Sequence, residues 1–243
     1  AWQRARTVAD VGCGNGSYIT KLASLDPDKN FFGIDPSREL IRIARSRCHD
    51  RVTFHHGQLP HPCIGECDIV ILRFVVQHLT DPQAFFIDLQ SIANEGTTVL
   101  IIEPSFAESN SIPRLNRLMG LVERFEKKAR ATRLLARSNI LGEGAISDLI
   151  GNGWRLNKVQ RIVSCCRRAT WNKGAVHHVL HGWTSMLSTF SDAQELFETR
   201  REIDEWVGNI GEELALTLKV WTLQRFTNAK HSDRACRMPL ERT

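Results

Sequence analysis

The sequence predicts an α/β fold, in which a doubly wound, seven-stranded and mostly parallel sheet carries helical insertions after its fifth and sixth strands. Short apolar runs rich in β-branched residues alternate with longer helical patterns through the first half of the chain, as in parallel strands joined by crossover helices. Residues 69–72 are all apolar, which is expected of a strand buried on both faces. A glycine-rich turn at residues 12–16 separates the first strand from the first helix.

The first half of the chain contains five predicted strands, at residues 7–11, 31–34, 52–55, 68–72 and 97–102. Helical patterns lie between them at residues 17–24, 38–47 and 82–93. The last of these helices follows Asp81, a favourable N-cap residue, and begins with Pro82 at its first position.

The pattern changes after Glu103. A segment without a convincing strand, a loosely alternating strand, a helical stretch and a last strand follow at residues 105–152, 154–164, 174–208 and 217–227. We predict one domain over residues 1–229, in which residues 105–152 and 168–214 are helical insertions. Residues 230–243 are polar and are expected to form a frayed tail.

Composition and charge exclude several classes of protein. A chain of 243 residues with 42% hydrophobic and 24% charged residues can bury a generous core, which excludes collagen, low-complexity and wholly disordered chains. Its apolar runs are far shorter than the roughly 18 to 20 residues that cross a bilayer, so we expect a soluble protein. Seven irregularly spaced cysteines favour the reducing cytoplasm over a disulfide framework. A net charge of +5 is too modest to indicate nucleic-acid binding.

The turn after the first strand reads D-x-G-x-G-x-G over residues 10–16 and opens a helix. Such a turn lets backbone approach a ligand closely, and the helix start offers free N–H groups. The spacing differs from the G-x-G-x-x-G of dinucleotide-binding folds. The second strand ends in Asp35, where a carboxylate can accept both hydroxyls of a ribose. A purely structural glycine turn, with Asp35 as a turn residue before Pro36, is the alternative.

Four successive segments resemble the motifs of class I S-adenosylmethionine-dependent methyltransferases, which have a Rossmann-like fold. These segments are residues 10–16, 33–37, 56–60 and 72–82. The resemblance covers most of the chain and implies S-adenosyl-L-methionine as the cofactor. In the family the glycine loop holds the methionine and sugar parts of the cofactor, the first-strand acid its amino group and the second-strand acid its ribose. The cofactor-binding residues implied here are Asp10, Gly12, Cys13, Gly14, Gly16, Asp35, Pro36, Gly57, Gln58, Leu59, Arg73 and Phe74.

Two features depart from the family pattern. Many relatives have Gly-Asp where this chain has Gly57-Gln58, and their acid accepts a hydrogen bond from the adenine amino group. The amide oxygen of Gln58 can accept the same bond, without the added strength of a charged acceptor. Relatives also carry helices before the first strand that cover the active site, whereas this sequence enters its first strand at Thr7. Either those helices were removed or another element serves as the lid.

Two residues at strand ends are candidates for catalysis. Methyl transfer from a sulfonium is an in-line displacement, but many acceptors must also lose a proton to a nearby base. His78 follows the fourth strand, in a His-Leu-x-Asp-Pro setting where the family often has a histidine, and is the leading candidate. The alternative is a histidine that caps or packs against the start of the next helix. Glu103 ends the fifth strand and either orients the substrate, accepts its proton or is a solvated strand end.

A histidine-rich segment lies in the second insertion. His177 and His181 are four residues apart and would share one helix face, with His178 beside them. We interpret all three as residues of the acceptor pocket, with exposed or packed side chains as the alternative. An H-x-x-x-H pair can bind a divalent metal, but no third ligand is evident, so we predict no metal site. The histidines and the cysteine at residues 55–63 show no recognisable ligand geometry either.

Residues 114–137 carry eight Lys or Arg residues against two Glu residues, and apolar residues recur among them at helical spacing. A solvated helix face is the ordinary explanation. The alternatives are docking of an acidic carrier or partner protein, steering of an anionic substrate, and contact with nucleic acid. Nucleic acid is the least favoured, because residues 72–75 lack the Asp/Asn-Pro-Pro-aromatic motif with which base-amino methyltransferases present a flipped base.

We therefore interpret the chain as an S-adenosylmethionine-dependent methyltransferase that acts on a small molecule, with the two insertions forming the acceptor pocket or lid. A role in natural-product biosynthesis is our preference, because relatives in such pathways hold their substrates in variable helical insertions. Oxygen, nitrogen, sulfur and carbon acceptors are all compatible with this interpretation. A non-catalytic methyltransferase-like binding domain and an NAD(P)-dependent oxidoreductase are the alternatives, the latter disfavoured by the glycine spacing.

Overall fold

The computed structural model describes residues 1–47, 49–79, 81–105, 109, 114–131, 153–167, 173–188, 191–209 and 213–226. In the first half, strands and helices follow one another as β1 (Thr7–Val11), α1 (Ser17–Leu25), β2 (Asn30–Asp35), α2 (Arg38–Arg45), β3 (Val52–His56), β4 (Ile69–Arg73), α3 (Pro82–Ile92) and β5 (Thr98–Pro104). The second half contributes α4 (Asn116–Ala131), β6 (Trp154–Arg167), α5 (Lys173–Leu187), α6 (Ala193–Asn209) and β7 (Glu213–Arg225).

The strands form one seven-stranded sheet in the order β3-β2-β1-β4-β5-β7-β6. The strands β1 to β5 are parallel to one another, whereas β7 runs antiparallel to β5 and β6 antiparallel to β7. The predicted α/β class with a mostly parallel sheet is therefore confirmed. The strand order reverses at β1, whose neighbours are β2 and β4, and open α/β sheets bind ligands beyond the carboxyl ends of strands at such a point.

Local sequence signals place the elements of the first half within two residues of the predicted bounds. The hydroxyl of Ser37 caps α2 by accepting the N–H of Leu40 at 3.3 Å, and a carboxylate oxygen of Asp81 caps α3 by accepting the N–H of Ala84 at 2.9 Å. These caps start both helices directly after the strand ends, so the loops at the carboxyl edge of the sheet stay short.

The second half differs from the prediction in two places. The strands β6 and β7 are longer than expected, because they pair with each other from Trp154 opposite Arg225 to Arg167 opposite Glu213. The helical stretch predicted at residues 174–208 is two helices, α5 and α6. The carboxylate of Asp192 starts the second by accepting the N–H of Glu195 at 2.7 Å.

Buried apolar side chains form three clusters. One cluster packs α1 and α2 against one face of the sheet, and a second packs α3 against the other face. The third joins the helices α4, α5 and α6 to one another through Leu115, Leu118, Leu121, Val122, Leu180, Leu187, Ile203 and Val207. We call these three helices the cap helices.

No helix among the described residues is long and apolar enough to span a membrane. Residues 106–108, 110–113 and 132–152 of the predicted first insertion, and the predicted tail at residues 230–243, lie outside the residues that the structure describes.

Candidate functional site: a cleft at the carboxyl edge of the sheet

A cleft of about 500 Å³ lies at the carboxyl ends of β1 and β2, and the loops after β3 and β4 and the start of α3 complete its walls. It therefore sits at the point where the strand order reverses. Eight of the residues predicted to bind cofactor or to catalyse line it, namely Gly12, Asp35, Pro36, Gly57, Gln58, Leu59, Phe74 and His78. Phe85 and Asp88 of α3 also line it, and no sequence motif had indicated them.

The three glycines of the loop have positive φ angles, but their surroundings differ. The φ values are 78° at Gly12, 56° at Gly14 and 73° at Gly16. A Cβ on Gly12 would lie 2.5 Å from a methyl group of Val75, and one on Gly16 would lie 2.6 Å from the Phe54 ring. A Cβ on Gly14 would meet no described atom within 4 Å. Gly12 and Gly16 thus allow close packing, whereas Gly14 leaves space free at the middle of the loop.

Asp35 connects the glycine loop to the start of α2. One of its carboxylate oxygens accepts the N–H of Gly14 and the other accepts the N–H of Ser37, both at 2.8 Å. The residue is only 8% exposed, so these bonds hold the carboxylate in a fixed orientation at the wall of the cleft. The two oxygens of a carboxylate offer about four lone-pair sites, so Asp35 keeps acceptor capacity for a ligand beside these two bonds.

Asp10 is a buried carboxylate with an unused acceptor. It is 1% exposed, and its Oδ2 has no hydrogen-bond partner in the described part of the chain. Burial raises the pKa of Asp10 to about 7; the Arg73 guanidinium opposes this shift, and the Asp35 carboxylate adds to it. Buried polar atoms are rarely left without a partner, so this oxygen suits a cationic donor brought by a ligand.

Arg73 and Cys13 contribute to the site in different ways. The guanidinium carbon of Arg73 lies 4.5 Å from the centre of the Tyr18 ring and 5.1 Å from that of Phe74, which are cation–π distances. Cys13 is 4% exposed, and burial raises the pKa of its thiol, so the thiol is not reactive. Its backbone N–H donates to the carbonyl of Ile34 at 3.0 Å and ties the loop to β2.

The segment after β4 turns sharply into the cleft. Phe74 has a φ of 59°, an unfavourable conformation for a bulky residue, and its N–H donates to the carbonyl of Ile102 at 2.9 Å. A carboxylate oxygen of Glu103 accepts the N–H of Val76 at 2.8 Å in a buried environment. Glu103 does not line the cleft but holds the turn that does, so its geometry is that of a positioning residue.

His78 ends a short 3₁₀ turn and lines the cleft. Its backbone N–H donates to the carbonyl of Val75 at 2.9 Å, which fixes the residue against the same turn. Burial lowers the pKa of His78, so its imidazole is neutral near pH 7 and able to accept a proton.

The three histidines predicted for the acceptor pocket lie on α5 and not among the residues that line the cleft. His177 and His181 converge on the carboxylate of Asp204 from α6, whereas His178 is exposed. No sequence motif indicated Asp204 as a partner of these histidines, because it comes close to them only through the packing of α5 on α6.

The basic surface of α4 is partly neutralised within the chain. Arg117 forms ion pairs with Glu198 and Glu202, and Arg124 forms one with Glu195, all from α6. We expected these cations to lie on a solvated helix face. At Arg117 and Arg124 they instead form contacts between two of the cap helices. Arg133 and Arg137 lie outside the described residues.

Residues 3–165, two thirds of the chain, match a family model described as a methyltransferase domain. The chain belongs to the class I S-adenosylmethionine-dependent methyltransferase family. The resemblance stated from the motifs is confirmed, and the match decides against the nicotinamide-dependent oxidoreductase.

Known proteins similar to this methyltransferase domain share mainly its first half or its fold. The trans-aconitate 2-methyltransferase of Afipia carboxidovorans is 31% identical over 126 residues, which are 51% of this chain and 48% of that protein. A candidate methyltransferase from an antibiotic biosynthesis pathway of Anabaena variabilis is 16% identical with a TM-score of 0.58, over 89% of this chain and 90% of that one. The structure of phosphoethanolamine N-methyltransferase 2 of Haemonchus contortus, in complex with S-adenosylhomocysteine, is 15% identical with a TM-score of 0.51. The match covers 91% of this chain and 49% of that one. At these identities the structural likenesses concern the fold alone.

The curated relatives are longer than the matched region, which spans less than half of their length. The cofactor of the family is S-adenosyl-L-methionine, and two residues that adjoin the cleft fit it. Asp10 directly precedes the lining residues Val11 and Gly12, and Gly14 donates to the lining residue Asp35, although neither Asp10 nor Gly14 lines the cleft itself. The unpartnered oxygen of Asp10 suits the ammonium group of the cofactor, and the open space at Gly14 allows close approach to the backbone. The fit thus rests on the buried acceptor and the free space, both of which are properties of this chain.

Proposed function

We propose that this chain transfers a methyl group from S-adenosylmethionine to a small-molecule acceptor at the cleft. The observation that carries the proposal is the buried carboxylate of Asp10, one oxygen of which has no hydrogen-bond partner among the described residues. Asp10 does not itself line the cleft at the switch point of the sheet, but it directly precedes Val11 and Gly12, which do. A protein that kept this fold only as a scaffold would gain stability by replacing such a group with an apolar residue.

In this proposal the residues that line the cleft, together with Asp10 next to it, each hold one part of the cofactor. Asp10 accepts from the amino group, and Asp35 accepts from the ribose hydroxyls while it holds the Gly14 N–H. The Gln58 amide, on the loop after β3, accepts from the adenine amino group. Phe74 and Leu59 supply apolar surface at the same cleft.

When bound, S-adenosylmethionine supplies an electrophilic methyl group on a sulfonium. The residues of the chain orient the reactants and exclude water, which is the main requirement of an in-line displacement. Glu103 holds the turn that carries Phe74 and His78, through the N–H of Val76. His78 accepts the proton of the acceptor, because its lowered pKa keeps the imidazole neutral at the pH of the cell.

The cap helices are the proposed acceptor pocket or lid, within the single domain at residues 1–229. Their apolar cluster is separate from the two clusters on the sheet, so the cap can vary without disturbing the cofactor cleft. A small acceptor is consistent with the trans-aconitate relative, and a natural-product acceptor with the structural neighbour from antibiotic biosynthesis. The basic segment at residues 114–137 is the proposed contact for an acidic carrier or partner protein.

The proposal is tested by incubating the protein with S-adenosylmethionine and pools of small acids, alcohols, phenols, amines and thiols, and measuring S-adenosylhomocysteine. We expect formation above the acceptor-free rate with at least one pool. His78→Ala should lower kcat by about a hundredfold or more, the usual contribution of a general base. His49→Ala, in the turn before β3 and away from the cleft, should leave it unchanged.

The outcomes separate the two remaining functions. Binding of S-adenosylhomocysteine without turnover of any pool would contradict methyl transfer and favour the non-catalytic binding domain. Turnover that is equal in His78→Ala and the wild type would keep the methyltransferase and remove His78 as its base.

A further inference from the structure

Two histidines and one aspartate meet where α5 packs on α6. His177 and His181 are one helical turn apart, and the Nε2 atoms of both lie within hydrogen-bond distance of the same Asp204 oxygen, at 2.7 and 2.9 Å. The two imidazole rings are 4.2 Å apart at their centroids. One potential ligand atom from each of the three side chains lies within 4.8 Å of the others.

The backbone beneath this cluster is held by packing that involves none of the three side chains. Leu180 and Ile203, which precede His181 and Asp204, are 3% and 0% exposed in the cluster of the cap helices. Thr184 lies about one turn after His181 on α5, and Arg200 lies one turn before Asp204 on α6. The Arg200 guanidinium donates to the hydroxyl of the buried Thr184 at 3.2 Å. The packing of the two helices therefore fixes the backbone positions from which the three ligand atoms converge.

The chemistry of the donor set points to a transition metal. Imidazole nitrogens with one carboxylate suit Zn²⁺ and its neighbours in the first transition row, whereas Ca²⁺ and Mg²⁺ prefer oxygen ligands. The side chains of His177, His181 and Asp204 are 45%, 25% and 55% exposed, so an ion can enter from solvent. Three protein ligands leave one tetrahedral position for water or an anion.

We propose that His177, His181 and Asp204 bind one divalent transition-metal ion, of the Zn²⁺ class, that joins α5 to α6. The spacing of the histidines alone had led us to predict no metal, because a third ligand was missing; Asp204 supplies it. The ion would replace the hydrogen bonds between the imidazoles and Asp204 and lock the contact between two cap helices. The site is independent of the proposed methyl transfer.

A test of this site must distinguish it from a second group of potential Zn²⁺ ligands, which lies around Cys63. His61 Nδ1 lies 3.1 Å from the sulfur of Cys63, and the His55 ring is 4.8 Å from the His61 ring. A Zn²⁺ ion could bind this pair through the thiolate, although burial raises the pKa of the Cys63 thiol to about 11 and opposes its ionisation.

The test is a calorimetric titration of the whole chain with ZnCl₂, without cofactor, for the wild type and four variants. We expect the wild type, His178→Ala and Cys63→Ser to bind one ion with the same affinity. His181→Ala and Asp204→Asn should weaken binding by about tenfold or more. Loss of a residue that only hydrogen-bonds to a metal ligand already costs about that much, and these variants change the ligands themselves. His178→Ala is the matched control, because His178 is on the same helix and does not contact Asp204.

Three results would overturn the proposal: no Zn²⁺ binding by the wild type, unchanged affinity in both His181→Ala and Asp204→Asn, or loss of binding only in Cys63→Ser. Nuclear magnetic resonance of the histidine ring nitrogens of the wild type covers the case in which a variant fails to fold. Zn²⁺ should shift the signals of His177 and His181 and leave those of His178 in place; the reverse pattern would overturn the proposal as well.

Discussion

At the residue scale, Asp10 is the group that we propose binds the cofactor, and its burial has a cost in stability. Its carboxylate is buried, and one oxygen has no hydrogen-bond partner among the described residues. The raised pKa, about 7, means that the folded protein favours the protonated form relative to the unfolded chain. Below about pH 4 Asp10 is protonated in both the folded and the unfolded chain, so it does not change the free energy of unfolding. As the pH rises from 4 towards 7, Asp10 ionises only in the unfolded chain and lowers the free energy of unfolding increasingly.

Asp10→Asn should remove this loss of stability. We expect the free energy of unfolding of the variant, relative to the wild type, to increase from about pH 4 to about pH 7 and then level off, by at most about 4 kcal/mol. Urea unfolding at a series of pH values measures the difference. Asp28→Asn, at an exposed turn before β2, is the control and should show no such rise. A difference that stays constant or falls over this range would contradict the account of Asp10.

At the scale of elements, the glycine loop combines two requirements at neighbouring positions. Gly14→Ala and Gly16→Ala both place a Cβ at a positive φ, which costs about 1 kcal/mol or slightly more. Only the Cβ at Gly16 collides with the Phe54 ring, at 2.6 Å, and overpacking adds about 1–3 kcal/mol. We expect Gly16→Ala to have the lower free energy of unfolding, measured by urea denaturation. Equal losses, or a larger loss in Gly14→Ala, would show that the packing of the loop differs from that described.

The elements that sequence patterns predicted are those whose signals are local. Apolar runs marked β1 to β5, and Ser37 and Asp81 marked the starts of helices that they do cap. The extra length of β6 and β7 comes from their pairing with each other, which composition does not show. The convergence of Asp204 on His177 and His181 depends on how two helices cross, so spacing along the chain found two ligands and missed the third.

At the scale of the whole molecule, the cap helices form a unit with its own apolar cluster. Ile203→Ala, at a side chain with no exposure, should cost about 2–5 kcal/mol. We expect this loss to appear as faster hydrogen exchange in α4, α5 and α6, with the strands β1 to β4 still protected. Ile41→Ala is the matched control, because Ile41 is equally buried in a cluster on the sheet and should produce the opposite pattern. Equal exchange throughout the molecule in Ile203→Ala would mean that the cap and the sheet unfold together.

The most direct test of the central claim is a calorimetric titration of the wild type with S-adenosylhomocysteine at pH 8, where Asp10 is charged. The account predicts one site with a micromolar Kd, weakened by about tenfold or more in Asp10→Asn, as expected when a charged acceptor of a hydrogen bond is lost. Asp28→Asn should bind as the wild type does. Absence of binding, or an affinity that Asp10→Asn leaves unchanged, would contradict the claim that this cleft holds the cofactor through its buried carboxylate.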